Sequence, residues 1–264
     1  MPPCPRRKVL IKTLRLYKFS ADPSHRAHDD TGGSTSRSFD PSEIAGCLVF
    51  AAVVRPDLAF AASSLASAVG CWAPKHDRAA ARVLRYMKAT IGRRLVFRHG
   101  APLELAAWVD ASFACDIHSP SSPGRCKSRS GCLLFFMGTV LWHTSRRQTA
   151  TALSSCEAEL AALCLLVRAL LVFRMTIAVV FRCDLPATPI YEDNTAVISI
   201  FRRGDVGGRM RHTRTAISFA LDAIRAAHCY LVYAPSKTQL ANTLTQAEPA
   251  DRHAWALARL FPAA

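Results

Sequence analysis

The chain has 264 residues, half of them hydrophobic, enough for one large domain or for an ordinary domain with a smaller attachment. Its 34 Lys and Arg against 19 Asp and Glu leave a formal net charge of +15. That balance points to a polyanionic partner, nucleic acid ahead of an anionic membrane surface, although an Arg- and Ala-rich chain also follows from a GC-rich coding sequence. The 10 cysteines contain no C-x-x-C and no Cys/His cluster at zinc-ligand spacing, which excludes a zinc module and reads as reduced, buried small hydrophobes.

In chain order, the opening "MPPCPRRKVLIKTLRLYKFSA" is basic but lacks the continuous apolar core of a secretory signal, and reads as an unstructured leader. Residues 20–42 are rich in Ser, Asp, Gly and His and read as a linker. From Glu43 to Thr90 the spacing predicts helices: two separated at Arg55-Pro56, where the proline disfavours helix at the preceding residue, and a third after Pro74. From Gly92 the pattern turns to strands. "RRLVFRH", "LELAAWVDASF" and "SGCLLFFMGTVLWHTSRRQ" read as β-runs, the last a hairpin turning at Met137-Gly138, with a Ser/Pro/Gly loop before it. "SSCEAELAALCLLVRALLVF" opens on a Ser-x-x-Glu capping box and carries apolar residues at helical spacing.

The apolar run from Leu160 to Phe181 is long enough to cross a bilayer. Arg168 and Arg174 argue against it, each costing about 2.5–3.5 kcal/mol near the centre of an inserted helix, so a buried helix leading into a strand is expected. A strand "TPIYEDN", a helix from about Thr195 to Arg202, a basic loop, a helix to about Ala227, the strand "CYLVYAP" and a last helical segment complete the chain. This order predicts a mixed sheet covered by helices, with boundaries at 1–42, 43–98 and 99–264.

Three acids stand at comparable places: Asp110 ending the run "LAAWVD", Glu159 in the first turns of a helix, and Asp193 ending "PIYED". An Asp-Asn pair alone is common where strands stop. The carboxyl ends of neighbouring strands, however, meet at one edge of an α/β sheet, so carboxylates placed there converge. Converging carboxylates raise one another's pKa, and a divalent cation with oxygen ligands relieves them. Two such cations about 3.5–4 Å apart activate a water and stabilise a leaving oxygen in phosphodiester hydrolysis.

Six blocks carry a resemblance: "RPDLAFAASSLAS", "RVLRYMKAT", "WVDASFACD", "KSRSGCLLFFMGTVLWHTSRRQTATALSSCEAELAAL", "IYEDNTAV" and "APSKTQLANTLTQ". In order, over roughly residues 43 to 247, the chain resembles the C-terminal part of a copia-type retrotransposon Pol polyprotein, the end of the reverse transcriptase followed by its ribonuclease H domain. The resemblance implies an α/β, ribonuclease H-like fold: a mixed five-stranded sheet flanked by helices, preceded by a small helical unit. It implies hydrolysis of the RNA strand of RNA/DNA hybrids with two Mg²⁺ or Mn²⁺ ions on Asp110, Glu159, Asp193 and Asn242. Nucleic acid and an upstream polymerase domain are the implied partners, with no membrane, in cytoplasmic virus-like particles or the nucleus. No Tyr-x-Asp-Asp motif is present, so DNA synthesis is not expected.

Glu159 rather than Glu157 takes the family's glutamate position, because that residue directly precedes the apolar run beginning at Leu160. Glu157 lies about 200° away around a helix and suits the helix N-terminus instead. The chain departs from the family at "TQLAN", where Asn242 stands in place of an Asp. An Asn carbonyl still ligates a hard cation but brings no charge and accepts no proton from the attacking water. Ser112 replaces a second acid, "HTRTAISFALD" departs from the polar family segment, and the loop from His118 to Arg125 is long.

His212 matches a recurrent family His, assisting proton transfer or product release, or else lying solvated in a phosphate-contacting loop. Lys127, Arg129, Arg146, Arg147, Arg202, Arg203, Arg209 and Arg211 are candidate phosphate contacts. Trp108, Trp142 and Phe113 stack on sugars or bases, or pack in the core. Asn242 and the scattered departures leave an alternative open: an inactive nucleic-acid-binding remnant of such a polyprotein.

Overall fold

A computed structural model of the chain describes residues 40–115, 127–204 and 214–262. The chain divides into two compact units, Met1–Arg93 and Arg94–Ala264. The described part of the first is helical. Helix α1 (Pro41–Ala52) starts on Asp40, whose carboxylate accepts from the Ser42 amide at 2.9 Å, with Pro41 at the position where a missing N–H costs nothing. A short 3₁₀ turn over Pro56–Leu58 leads into α2 (Ala59–Ser67), so the expected break falls at Arg55-Pro56. Helix α3 (Pro74–Ala89) follows, and Ile44, Leu48, Leu58, Leu65, Leu84 and Met87 close a small core.

The second unit is built on a five-stranded mixed sheet in the order β3-β2-β1-β4-β5, with β1 (Leu105–Ser112), β2 (Arg129–Phe136), β3 (Thr139–Arg147), β4 (Thr188–Glu192) and β5 (Cys229–Tyr233). Strands β1 to β3 pair antiparallel, whereas β1, β4 and β5 run parallel. The hairpin turns where expected: Met137 and Gly138 both have positive φ, 53° and 72°, the primed-turn geometry whose twist matches the strands.

Helix α4 (Ser155–Phe181) lies across β1 and β2 and buries Ala158, Leu160, Leu163, Leu166, Val167 and Leu170. It runs 27 residues, which corrects the expected passage into a strand: Arg182, in the left-handed region, closes the helix, and β4 begins only at Thr188. The segment is long and apolar enough to cross a membrane, and its outer half leaves Val172, Met175, Val179 and Val180 exposed. A second correction concerns "RRLVFRH", which forms no strand. Its Val96 and Phe97 are 38% and 48% exposed, too little burial to hold a pairing in place. Helices α5 (Thr195–Arg203), α6 (Arg214–Arg225), α7 (Asn242–Thr245) and α8 (Ala250–Leu260) complete the described elements.

Candidate metal centre

Parallel neighbours β1 and β4 register over only two pairs, Ala107 with Ile190 and Trp108 with Tyr191, and beyond these their carboxyl ends part. Fully buried Gln239 fills the gap, its amide nitrogen donating to the Val109 carbonyl at 3.0 Å and the Tyr191 carbonyl at 3.2 Å. The crevice lies where the antiparallel half of the sheet meets the parallel half, the kind of switch point at which α/β sheets bind ligands. Strand alternation places Val109 and Ala111 against α4 and leaves Asp110 on the other face, 8% exposed.

Asp110 pairs across the ladder with Gly131. A Cβ on Gly131 would stand 2.7 Å from Thr245 Cγ2 and 2.9 Å from the Ala241 carbonyl, so only glycine lets α7 come this close to β2. That approach sets the Thr245 hydroxyl against Asp110 Oδ2 as a hydrogen-bond donor.

Glu159 enters from the start of α4. Ser154 caps this helix, accepting from the Glu157 amide at 3.2 Å, while Glu157 accepts from the Leu153 amide at 2.7 Å, the N-terminal role expected of it. Gln148 at the end of β3 donates to Ser130 Oγ and to the Ala158 carbonyl, fastening the first helical turn to the sheet. Glu159 is then 5% exposed, and its Oε2 has no hydrogen-bond partner. Asp193 follows β4 directly, and its Oδ2 accepts from the Ser236 hydroxyl at 2.5 Å. Asn194 caps α5 by accepting from the Ala196 and Val197 amides, which accounts for the Asn after the acid.

Carboxylate oxygens of Asp110, Glu159 and Asp193 lie within 4.8 Å of one another. Burial raises the Asp110 carboxyl from 3.8 to about 6; the Thr245 hydrogen bond opposes the rise and the Asp193 charge adds to it. Glu159 is pushed far up, by burial first and then by the charges of Glu192, Asp110 and Asp193. Hard oxygen donors, mutual repulsion and a buried oxygen lacking a donor fit a divalent cation.

Sequence reasoning missed Glu192. It is fully buried, accepts from the Asn194 amide through Oε1 at 2.9 Å and leaves Oε2 without a partner. Burial raises its pKa, and the charges of Asp193 and Asp110 raise it further. Alternation from buried Ile190 was the available signal. Thr245, Ser236 and Gln239 were missed too, since only the fold brings them to the strand ends.

Asn242 begins α7, 7% exposed, with its amide nitrogen donating to the Ser236 carbonyl at 3.2 Å. Of the candidate phosphate contacts, Arg146, Arg202 and Arg203 are exposed and Arg147 is half-buried. Lys127 donates to the Thr149 carbonyl, and Arg129 is only 2% exposed, donating to Ser145 Oγ at 3.3 Å, so it does not face solvent. His212, Arg209, Arg211 and the loop from His118 to Arg125 lie outside the described residues. Trp108 stacks on Tyr191, ring centres 4.5 Å apart, and meets Phe135 edge-on; Trp142 lies beside Phe173; Phe113 is exposed.

No family model matches the chain. The retrovirus-related Pol polyprotein from transposon RE2 of Arabidopsis thaliana is 26% identical over 211 residues, which are 78% of this chain and 14% of that polyprotein. Secreted RxLR effector protein 161 of Plasmopara viticola is 34% identical over 122 residues, 46% of this chain and 82% of that protein. Among solved structures, LC11 ribonuclease H1 in complex with an RNA/DNA hybrid is 14% identical, with a TM-score of 0.38, over 54% of this chain and 94% of that one.

Proposed function

We propose, from the likeness to retrovirus-related Pol polyproteins of copia-type transposons that covers about 80% of this chain at 26% identity, that its Arg94–Ala264 unit is a ribonuclease H-type hydrolase cutting the RNA strand of RNA/DNA hybrids. The observation that carries the reading is the meeting of Asp110, Glu159 and Asp193 carboxylate oxygens within 4.8 Å, with one Glu159 oxygen buried and without a donor. These three residues would hold two divalent cations, Mg²⁺ or Mn²⁺, with Asn242 at the fourth position of the family pattern. When bound, such ions supply an activated water and charge stabilisation of the leaving oxygen.

The chain's own groups prepare the site. Thr245 fixes the Asp110 carboxylate, Gln239 holds the parted ends of β1 and β4, and Ser236 holds Asp193. Exposed Arg146, Arg202 and Arg203 offer contacts to backbone phosphates, recognised by duplex shape more than by sequence. The helices of the Met1–Arg93 unit then stand for the end of the polymerase.

The test is hydrolysis of an end-labelled RNA/DNA hybrid by the purified chain across Mg²⁺ and Mn²⁺ concentrations, beside an Asp110→Asn variant. Metal-dependent cutting by the parent that is lost in the variant supports the assignment, and cutting that persists in the variant removes it. A second reading, an inactive nucleic-acid-binding remnant, is favoured by the amide in place of a carboxylate at Asn242. It is distinguished by hybrid binding that weakens steeply with salt and no cutting under any metal condition.

A further inference from the structure

Two groups of Ser236 face opposite ways, its hydroxyl toward the site and its carbonyl away from it. Its hydroxyl donates to Asp193 Oδ2 at 2.5 Å. Its carbonyl accepts two donors, Asn242 Nδ2 at 3.2 Å and Arg252 Nη2 at 2.7 Å. The residue opens a 3₁₀ turn in which Thr238 bonds twice to the Pro235 carbonyl, by its amide at 2.7 Å and its hydroxyl at 2.9 Å. The far end of the turn is fixed by Gln239, whose amide oxygen accepts from the Ala241 amide at 3.2 Å while its nitrogen bridges β1 and β4.

A carbonyl oxygen only accepts hydrogen bonds, so the Asn242 amide must present its NH₂ to Ser236. An ionised carboxylate at 242 has no proton to donate and would set oxygen against oxygen. Arg252 is itself braced by Glu248, 3.6 Å away. Two side chains from separate helices, Asn242 and Arg252, therefore converge on one serine carbonyl, and that serine touches a carboxylate of the proposed metal centre.

We propose that Ser236 is a positioning residue that fixes the Asp193 carboxylate, and that Asn242 and Arg252 act on the site through the Ser236 carbonyl. Asn242 is then a brace of the Pro235–Gln239 turn and not a weakened ligand. The proposal deepens the metal-dependent reading above and rests on it for the cation, while the brace itself is a property of the protein without metal.

The experiment is a double-mutant cycle read in two ways: Mn²⁺ affinity by electron paramagnetic resonance, and the side-chain ¹³C carboxyl resonance of Asp193 in metal-free protein. Ser236→Ala is expected to weaken Mn²⁺ binding about 10-fold, the scale of losing a group that orients a ligand, whereas Ser236→Thr, which keeps the hydroxyl, stays near the parent. Asn242→Ala is expected to weaken binding in the parent yet add nothing in the Ser236→Ala background, because both changes break the same path. Losses that multiply would make Asn242 a ligand in its own right and overturn the proposal.

Without metal, the Asp193 resonance is expected to move in Ser236→Ala, Asn242→Ala and Arg252→Ala and to hold in Ser236→Thr. Arg252 lies partly in solvent, so its variant serves if Asn242→Ala unfolds. A parent that binds no Mn²⁺ while the resonance still moves retires the metal reading and keeps the brace; a resonance that stays put in the three variants discards the brace.

Discussion

Each of the two units buries carboxylates, and they treat them oppositely. In the helical unit, Asp57 has a side chain with no exposed surface, yet it receives Arg55 Nε at 2.9 Å, Arg55 Nη2 at 2.7 Å and the Tyr86 hydroxyl at 2.6 Å. Arg55 turns further N–H groups to Thr90, at 3.1 Å to its carbonyl and 2.8 Å to its hydroxyl. In the sheet unit, Glu159 and Glu192 each keep an oxygen buried and without a donor. A buried charge is costly unless it is paired and hydrogen-bonded. The first network closes on itself and fastens the Arg55-Pro56 turn to the end of α3. The second leaves two buried carboxylate oxygens without a donor, which the cation of the proposed metal centre would answer.

The largest effect is expected where the closed network is broken. Asp57→Ala leaves Arg55 buried without its counter-charge and should cost about 3–5 kcal/mol, read as a lower urea midpoint for the transition of the helical unit. A loss below about 1 kcal/mol would mean that this network is not what holds the unit together.

The open network should show itself through pH. The folded Asp110 carboxyl lies near pH 6, above its ordinary 3.8, so the folded metal-free protein binds this proton more tightly than the unfolded chain does. The stability it contributes is complete below pH about 4 and is lost as pH rises through about 6, on the order of 3 kcal/mol. The raised Glu159 and Glu192 carry the decline to higher pH. Comparing parent with Asp110→Asn isolates the effect: the Asn variant should lack the part of the decline between pH 4 and 7. Mn²⁺ at pH 8 should restore stability to the parent more than to the variant. A parent whose stability, relative to the variant, climbs over that range would contradict the open network.

Much of this contrast was legible in the sequence, and the part that was not has a physical reason. Asp110 and Asp193 stood out because apolar, β-prone runs end on them, and Glu159 because it lies in the first turns of a helix, the family resemblance selecting it over Glu157. The mixed sheet followed from strands that pair locally and then alternate with helices. The helix end near Phe181 was misjudged because a composition rich in Val and Ile does not reveal that Arg182 closes the turn in the left-handed region. Glu192 was passed over, although alternation from Ile190 sends it inward. Thr245, Ser236 and Gln239 carry no signal by residue type, because only the fold brings them to the strand ends, Thr245 through the approach that Gly131 permits.

That approach gives the next effect in size. Gly131→Ala sets a methyl 2.7 Å from Thr245 Cγ2 and 2.9 Å from the Ala241 carbonyl, so α7 must shift or β2 must bend. Overpacking of this kind costs about 1–3 kcal/mol. Because the shifted element carries Thr245, the Asp110 carboxyl should also lose its donor and titrate higher in the variant, measured by carboxyl NMR. A stability loss with an unchanged Asp110 titration would separate the packing role of Gly131 from any role at the site.

The smallest expected effect tests the comparison most directly, because one chemical change is made in both networks. Carboxylate to amide at Asp57 removes the charge that faces Arg55 and sets an NH₂ among groups that are already donors, so Asp57→Asn should destabilise. At Glu192 the same change removes a buried charge that repels Glu159. Gln keeps an acceptor for the Asn194 amide and puts a neutral group where a buried charge lacked a donor. Glu192→Gln should therefore stabilise the metal-free protein at pH 8 by about 1 kcal/mol and flatten its decline with rising pH, measured by urea unfolding. Opposite signs for the two isosteric substitutions are what a closed and an open network require. Equal signs would mean that the two sets of buried acids do not differ in the way their hydrogen bonds indicate.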